Sequence, residues 1–315
     1  MTADNPKYSL LINSLTSIFF FFIHSFHSII ACEKDRIYQI TRYDKVTYII
    51  THFHNVKLLK ITKEKSMSSE VQLFQNERID QLFSEDIQII QSREVFSFSL
   101  DAVLLANFPN IPKRGKIVDM CAGNGAVGLF VSRHTQADII QIELQARLAD
   151  MAQRSIQLND LSEQMTVIQD DLKNAPKYLG HDSVDLILCN PPYFKDLPTN
   201  HKNPNEYLAI ARHEIYTNLE TVIQTSAHLL KMNGRLCLVH RPERFLEVIE
   251  TMQQYKIMPK KIQFIYPKEG KEANILLVEG IYQGKKDGLK VLPPIYTYDA
   301  NGEYTPTIKK MLYGK

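Results

Sequence analysis

Apolar and polar positions change their spacing repeatedly along the chain from residue 116 onward. Short apolar runs alternate with stretches in which apolar residues recur every three or four positions, as strands and helices do. The runs predict strands at 116–120, 138–143, 165–170, 184–190, 234–240, 259–267 and 273–282. The longer period predicts helices at 126–134, 145–158, 217–231 and 242–254, with a loop over 194–216. This alternation indicates an α/β fold with a doubly wound, mainly parallel seven-stranded sheet and an antiparallel hairpin at its edge.

The run at 184–190 ends in the tetrapeptide Asn190-Pro191-Pro192-Tyr193. Each proline fixes φ and removes a backbone donor, and the residue before it is kept out of the helical region. The carbonyls of Asn190 and Pro191 are therefore fixed acceptors, with the Asn190 amide and the Tyr193 ring beside them. Such a group suits a planar amine, for example the exocyclic amino group of adenine. The simpler interpretation is that the prolines only end a strand.

A glycine-rich turn follows the strand at 116–120. The turn contains Gly123 and Gly125, leads into a helical pattern, and fits the dinucleotide fingerprint G-x-G-x-x-G. A nicotinamide-dependent oxidoreductase is therefore one hypothesis. Asp119, four residues before the first glycine, instead favours a ligand with a positive amino group, such as the methionine end of S-adenosyl-L-methionine. A pyrophosphate at a helix N-terminus gains nothing from an acid at this place.

Acidic residues also follow the next two predicted strands. Glu143 ends one of them, where a carboxylate can accept hydrogen bonds from both ribose hydroxyls of a cofactor. Asp170 and Asp171 follow the other, and we expect Asp171, nearer the loop, to accept from the adenine amino group of the cofactor. The alternative is that these acids only cap helices. Because the carboxyl ends of parallel strands meet at one edge of a sheet, we expect the acids and Asn190 to gather there.

These motifs resemble the class I S-adenosylmethionine-dependent methyltransferases that modify amino nitrogens. The resemblance is closer still to the bacterial enzymes that methylate N6 of adenine 37 in a valine tRNA, because of the flanking segments 77–80, 96–105, 211–214 and 273–280. It implies a Rossmann-like fold, S-adenosyl-L-methionine as the cofactor and tRNA as the partner. The tetrapeptide alone is shared with DNA adenine, rRNA guanine and protein glutamine methyltransferases, so those substrates stay open, as does an RNA scaffold without activity.

The resemblance also implies roles for single residues. The tetrapeptide would hold the amine for a direct in-line methyl transfer, which depends chiefly on the orientation of the reacting atoms. Phe98 and Asp101, in the segment 96–105, would frame the cofactor pocket. Arg212 and His213 would contact the RNA or serve the structure.

Residues 1–66 have a different character from the rest of the chain. No charged residue occurs between Tyr8 and Cys32, and basic residues follow from Lys34 onward, as in a bilayer-spanning segment with its basic flank in the cytoplasm. The alternative is that Met67 is the true start and that residues 1–66 are translated upstream sequence. In both interpretations we expect the extension to lie outside the catalytic fold, which would occupy residues 67–315.

Charge is distributed unevenly along the chain. The net charge is +2, to which residues 1–66 contribute about +4, residues 67–255 about −7 and residues 256–315 about +5. Lysines and tyrosines are interspersed in the last of these segments, and such a surface can neutralise phosphates and stack bases. The alternative is that the lysines only keep the protein in solution.

Cysteine and histidine spacing indicates neither a disulfide nor a metal site. The four cysteines, at 32, 121, 189 and 237, are far apart in sequence, and the ten histidines show no ligand spacing. Buried thiols of this kind are typical of a reducing compartment. We therefore expect a cytoplasmic enzyme without a metal and without a stable protein partner, membrane-bound only if residues 1–66 are a genuine anchor.

Overall fold

The computed structural model describes residues 71–82, 87–95, 97–195 and 205–314, together with the backbone of strands between residues 18 and 63. The chain divides into two compact units, Met1–Ser68 and Ser69–Lys315. This boundary lies two residues after the one predicted at residue 66.

The first unit contains strands that pair with their neighbours in chain order, all antiparallel. They are β1 (Ile18–Phe19), β2 (His27–Glu33), β3 (Arg36–Tyr43), β4 (Val46–Phe53) and β5 (Val56–Lys63). The uncharged run and Met67 lie outside the described residues, except where the run enters β1 and β2. Both interpretations of residues 1–66 therefore stay predictions. No helix in the described part of the chain is long and apolar enough to cross a membrane.

The second unit begins with a hairpin and continues with alternating strands and helices. Its strands are β6 (Glu77–Leu82), β7 (Ile87–Ser92), β8 (Lys116–Met120), β9 (Asp138–Glu143), β10 (Met165–Gln169), β11 (Val184–Cys189), β12 (Leu230–His240), β13 (Ile257–Tyr266), β14 (Ile275–Tyr282), β15 (Lys290–Val291) and β16 (Ile295–Tyr296). Its α-helices are α1 (Leu100–Asn107), α2 (Ala126–Ser132), α3 (Ala146–Leu158), α4 (Ala175–Leu179), α5 (Glu206–Arg212), α6 (Leu219–Leu229), α7 (Phe245–Gln254) and α8 (Pro306–Tyr313).

The main sheet of this unit has, within the described residues, nine strands. Their order is β10-β9-β8-β11-β12-β14-β13-β15, with β16 beside β13. From β10 to β12 the pairing is parallel, whereas β14 lies antiparallel between β12 and β13. Seven of the nine are the predicted strands, and β15 and β16 add two residues each. The predicted Rossmann-like α/β fold with an antiparallel hairpin is confirmed. The second strand of the hairpin, β14, lies between β12 and the first strand, β13.

The core forms a layer on each face of the sheet. Side chains alternate between the faces along each strand, so that Leu188 packs into one layer and its neighbour Ile187 into the other. Both residues are fully buried because helices cover both faces. The strands therefore read as continuous apolar runs.

Some elements were absent from the sequence prediction. Helix α1 is one, because Ala102 to Ala106 are all buried and a helix buried on all sides loses its polar stripe. Helix α5 is another and corrects the predicted loop over 194–216. It begins after Asn205, whose side-chain oxygen accepts a hydrogen bond from the Leu208 N–H at 3.3 Å. The hairpin β6–β7 and helix α8 were also missed.

An ion pair attaches the hairpin to α3. Arg154 donates to both carboxylate oxygens of Glu77, at 2.7 and 2.8 Å, and to Asp150 at 2.6 Å. The Glu77 side chain is inaccessible to solvent and that of Arg154 is 10% exposed. A carboxylate so enclosed depends on its partner, since an unpaired buried charge is costly.

We expect Arg154→Met to lower the free energy of unfolding by about 3–5 kcal/mol, because it leaves the Glu77 carboxylate buried without a cation. The chain has no tryptophan, so urea unfolding is best followed by circular dichroism. Arg78→Met is the matched control, since Arg78 pairs with Asp80 at 2.9 Å on the surface, where a pair contributes about 0–1 kcal/mol. Equal losses in the two variants would show that the ion pair does not hold the hairpin.

Candidate active site

A cavity of about 420 Å³ lies where β8, β9, β11 and β12 reach their carboxyl ends. Residues that follow each of these strands line it, with a wall added by the start of α1. Open α/β sheets bind ligands at this edge, and the volume is that of a small-molecule site. The cavity is therefore the candidate active site.

The glycine turn after β8 forms one wall. Gly123 has φ of +58° and lines the cavity, and a Cβ built on it would meet nothing within 4 Å. Any other residue would therefore be strained and would project its side chain into the cavity. Gly125, with φ of +88°, does not line the cavity, and a Cβ there would lie 2.8 Å from Oε1 of the Gln141 side chain. Gly123 thus keeps the cavity open, and Gly125 allows close packing below it.

Glu143 joins this turn to the end of β9. Its carboxylate accepts hydrogen bonds from the Gly123 N–H at 2.7 Å and from the Gln145 N–H at 2.9 Å. The side chain is buried and lines the cavity. Burial raises the pKa of the Glu143 carboxyl, and the two backbone hydrogen bonds oppose that rise. The structure brings Glu143 and Gly123 together as predicted for a shared ligand.

Asp119 lies beneath the turn and does not line the cavity. One carboxylate oxygen accepts from the Gly128 N–H on α2 at 3.1 Å, and the other has no partner. Burial raises the pKa of the Asp119 carboxyl to about 8, and the nearby Glu143 charge adds to this rise. The observed contacts hold α2 against β8, and the predicted contact of Asp119 with a cofactor stays a prediction.

Asp170 and Asp171 both line the cavity after β10, with different partners. Asp170 accepts from the Tyr178 hydroxyl at 2.6 Å and from the Asn174 side chain at 2.9 Å, and these bonds lower the pKa of its carboxyl. Asp171 caps the next turn through the Lys173 N–H at 3.0 Å. Both oxygens of Asp170 are thus engaged locally, whereas Asp171 uses one oxygen for capping and pairs the other with the ammonium of exposed Lys173 at 3.6 Å. The preference for Asp171 stays a prediction.

The tetrapeptide forms another part of the cavity lining, directly after β11. Asn190, both prolines and Tyr193 line the cavity. The Tyr193 hydroxyl contacts Asn190 Oδ1 and, at 2.9 Å, Asp101 Oδ2 on α1. The structure therefore connects the segment 96–105 to the tetrapeptide.

Two further predicted residues lie at the rim. Phe98 lines the cavity and packs edge-on against Phe130, with 6.1 Å between ring centroids. Arg212 is exposed and also lines the cavity, whereas the backbone of His213 pairs with Phe194 in a parallel bridge.

A half-buried arginine that sequence analysis missed supports the tetrapeptide from behind. Arg244 donates to the Tyr193 carbonyl at 3.1 Å, to Glu214 at 2.8 Å and to Glu247 at 2.6 Å. The Arg244 guanidinium lowers the pKa of the Glu247 carboxyl to about 2. A signal existed, because Arg244 follows β12 at the same carboxyl edge as the other site residues. Glu247 is near Arg244 in sequence, but Glu214 and Tyr193 lie 30 and 51 residues away, so the sequence does not show these contacts.

His240, at the end of β12, was also missed. Burial and the neighbouring Arg244 charge lower the pKa of His240 to about 4. Its ring lies 5.3 Å from the Tyr193 ring, centroid to centroid, so a neutral aromatic surface backs Tyr193 at physiological pH.

Comparison with known proteins places this chain in a family. The family model "Methyltransferase small domain" matches residues 86–265. The chain belongs to this family. It is an S-adenosylmethionine-dependent methyltransferase, which confirms the predicted enzyme class and cofactor and decides against the oxidoreductase hypothesis.

Individual proteins agree with this assignment. The chain is 26% identical over 184 residues to a protein of Photobacterium profundum named tRNA1(Val) (adenine(37)-N6)-methyltransferase, covering 58% of this chain and 75% of the relative. A Shewanella protein of the same name is 26% identical over 210 residues, covering 66% and 86%. The crystal structure of a predicted O-methyltransferase from Agrobacterium tumefaciens shares the fold, with a TM-score of 0.53, 21% identity and coverage of 67% and 94%.

The residues present fit S-adenosylmethionine. The open space above Gly123 is one that a Cβ would fill, and the carboxylates of Glu143 and Asp171 face the same cavity. Oxygen acceptors of this kind match hydroxyl and amino donors. In the described part of the chain no cluster of His, Cys, Asp or Glu could hold a metal ion.

We expect Asp119→Asn to remove a pH-dependent loss of stability. With a folded pKa of about 8 and an unfolded pKa of about 4, the wild-type carboxyl binds a proton only in the folded state between these values. Its contribution is complete below pH 4 and is lost as pH rises toward 8, by about 1.4 kcal/mol per unit. The free energy of unfolding of the variant, minus that of the wild type, should therefore rise from pH 5 to 8. A pH-independent difference would show that Asp119 is ionised in the folded protein.

Proposed function

We propose that this methyltransferase acts on N6 of adenine in tRNA, at adenine 37 of a valine tRNA. The observation that carries the proposal is the position of Asn190 and the prolines, which line the same cavity as Gly123 and Glu143. The names of the relatives support the same substrate. The candidate amine acceptors and the predicted cofactor-binding residues thus line one cavity.

The chain's own residues would hold and orient the adenine amine. The Asn190 side-chain oxygen and the Pro191 carbonyl accept its two hydrogens, and the Tyr193 ring stacks on the base. Pro191 and Pro192 restrict the backbone, so the two acceptors are preorganised. S-adenosylmethionine supplies a methyl group that its sulfonium already activates. Orientation then accounts for most of the catalysis.

The cofactor would lie beside the glycine turn and the end of β9. Glu143 is placed to accept from the ribose hydroxyls and Asp171 from the adenine amino group, with the Gly123 backbone and the Phe98 ring as neighbours. Asp119 and Gly125 would act through the turn above them, since neither lines the cavity.

Part of the basic C-terminal segment is available for RNA at this edge. Tyr266 ends β13, which runs parallel to β12, and exposed Lys268 and Lys271 follow it. Neighbouring strands lie about 4.8 Å apart, so β13, three strands from β11, lies about 14 Å from the tetrapeptide. Lys256 and Lys285 lie at the other edge, so only part of the predicted patch supports this role.

The activity is assigned to residues 67–315 in the cytoplasm, where tRNA is modified, and residues 1–66 are not required. The support is the family match, which begins at residue 86, and the separation of the two compact units.

We expect the full chain to transfer labelled methyl groups to one species in total bacterial tRNA, with N6-methyladenosine as the digestion product. Parallel reactions contain rRNA, DNA and a ribosome release factor. Product in guanine of rRNA, in DNA adenine or in a protein glutamine would replace the tRNA assignment with that substrate.

Asn190→Ala should lower kcat by about 100-fold or more, because it deletes a preorganised acceptor at the reacting nitrogen. The dissociation constant of S-adenosylhomocysteine, measured by calorimetry, should stay nearly unchanged. Asn301→Ala, in an exposed turn, is the control. A variant that binds cofactor poorly and keeps its kcat would place Asn190 in the cofactor site.

A further inference from the structure

The Tyr193 hydroxyl has two acceptors and one hydrogen to donate. It contacts Asp101 Oδ2 at 2.9 Å and Asn190 Oδ1 on the other side. A hydroxyl can donate to only one of them, and toward the other its oxygen must accept. The position of this hydrogen therefore decides what the Asn190 amide can do.

Asp101 is the stronger acceptor. A hydrogen bond to a carboxylate is roughly twice as strong as one between neutral groups. Burial raises the pKa of the Asp101 carboxyl, and the hydrogen bond from Tyr193 and the Arg241 charge offset that rise only in part. Arg241 also lines the cavity, so a cation faces the carboxylate. In its ionised form Asp101 has no hydrogen, so the Tyr193 hydroxyl donates to it.

Asn190 must then present a donor to Tyr193. A half-turn of its amide exchanges the oxygen with the NH₂ group, and the NH₂ group can donate to the Tyr193 oxygen. The amide oxygen is thereby released from Tyr193. If the hydroxyl instead donated to Asn190, it would compete with the substrate amine for that oxygen.

We propose that Asp101 is a positioning residue that acts through the Tyr193 hydroxyl to keep the Asn190 oxygen available to the substrate amine. The chain of hydrogen bonds runs from Asn190 to Tyr193 to Asp101. The proposal rests on the proposed role of Asn190 as amine acceptor. It gives Asp101 a role distinct from direct contact with the cofactor.

A double-mutant cycle tests the proposal. Tyr193→Phe keeps the ring and deletes the hydroxyl, and Asp101→Ala deletes its acceptor. Each should lower kcat by about 10- to 100-fold, the loss expected for one hydrogen bond to a charged group, with KM for S-adenosylmethionine changed less than about twofold. Because both substitutions break the same series of hydrogen bonds, the loss of kcat in the double variant should be no larger than that in the less active single variant.

Tyr255 and Glu220 provide the matched control. The Tyr255 hydroxyl donates to the Glu220 carboxylate at 2.9 Å on the surface. Tyr255→Phe and Glu220→Ala therefore delete the same type of bond away from the cavity and should leave kcat unchanged. Independent losses at Asp101 and Tyr193 that multiply in the double variant, or an increase in KM for S-adenosylmethionine in Asp101→Ala alone, would overturn the proposal.

A second measurement needs no substrate. Tyr193→Phe removes a donor from the Asp101 carboxylate, so the pKa of Asp101 should rise, as followed by the carboxyl ¹³C shift in protein labelled at aspartate and assigned with Asp101→Asn. An unchanged or lower pKa would mean that the hydroxyl donates to Asn190, and the proposal would fail. If the wild type methylates something other than tRNA, only the tRNA assignment fails, and the cycle is measured with the substrate found.

Discussion

Parallel pairing of β9, β8, β11 and β12 is the constraint on which the cavity depends. It brings the carboxyl ends of buried strands to one edge, and the polar residues after each strand must then share one space. Glu143 strengthens this arrangement, because its carboxylate accepts from the Gly123 N–H across the gap between two strands. The part of the cavity formed by the glycine turn and Glu143 is thus fixed by backbone groups, which are more rigid than side chains alone.

The part of the cavity formed by the tetrapeptide is stiffened in a different way. The prolines restrict the backbone, and Arg244 holds the Tyr193 carbonyl from behind at 3.1 Å. Glu214 and Glu247 neutralise this arginine, so that a cation can be enclosed beside the site at little electrostatic cost. The two parts of the cavity lining therefore have separate supports.

Sequence reasoning found the residues whose position follows from a strand end. Glu143 and Asn190 are of this kind, since an apolar run locates the end of a strand and parallel pairing brings the ends of neighbouring strands to one edge of the sheet. It could not find the contact between Asp101 and Tyr193, which are 92 residues apart, because such contacts depend on how α1 packs. Asp119 shows the same limit. The sequence pattern placed it near the glycine turn but could not show that it is buried beneath the turn, away from the cavity.

The position of β14 between β12 and β13 has a consequence for folding during synthesis. The ribosome releases β13 before β14, yet β14 must pair with β12 for the sheet to continue. The edge of β12 therefore stays unpaired until residues up to Tyr282 have emerged. An exposed strand edge can pair with other chains. The nascent protein is thus open to aggregation at this edge until late in translation, after β8 to β11 have been synthesised.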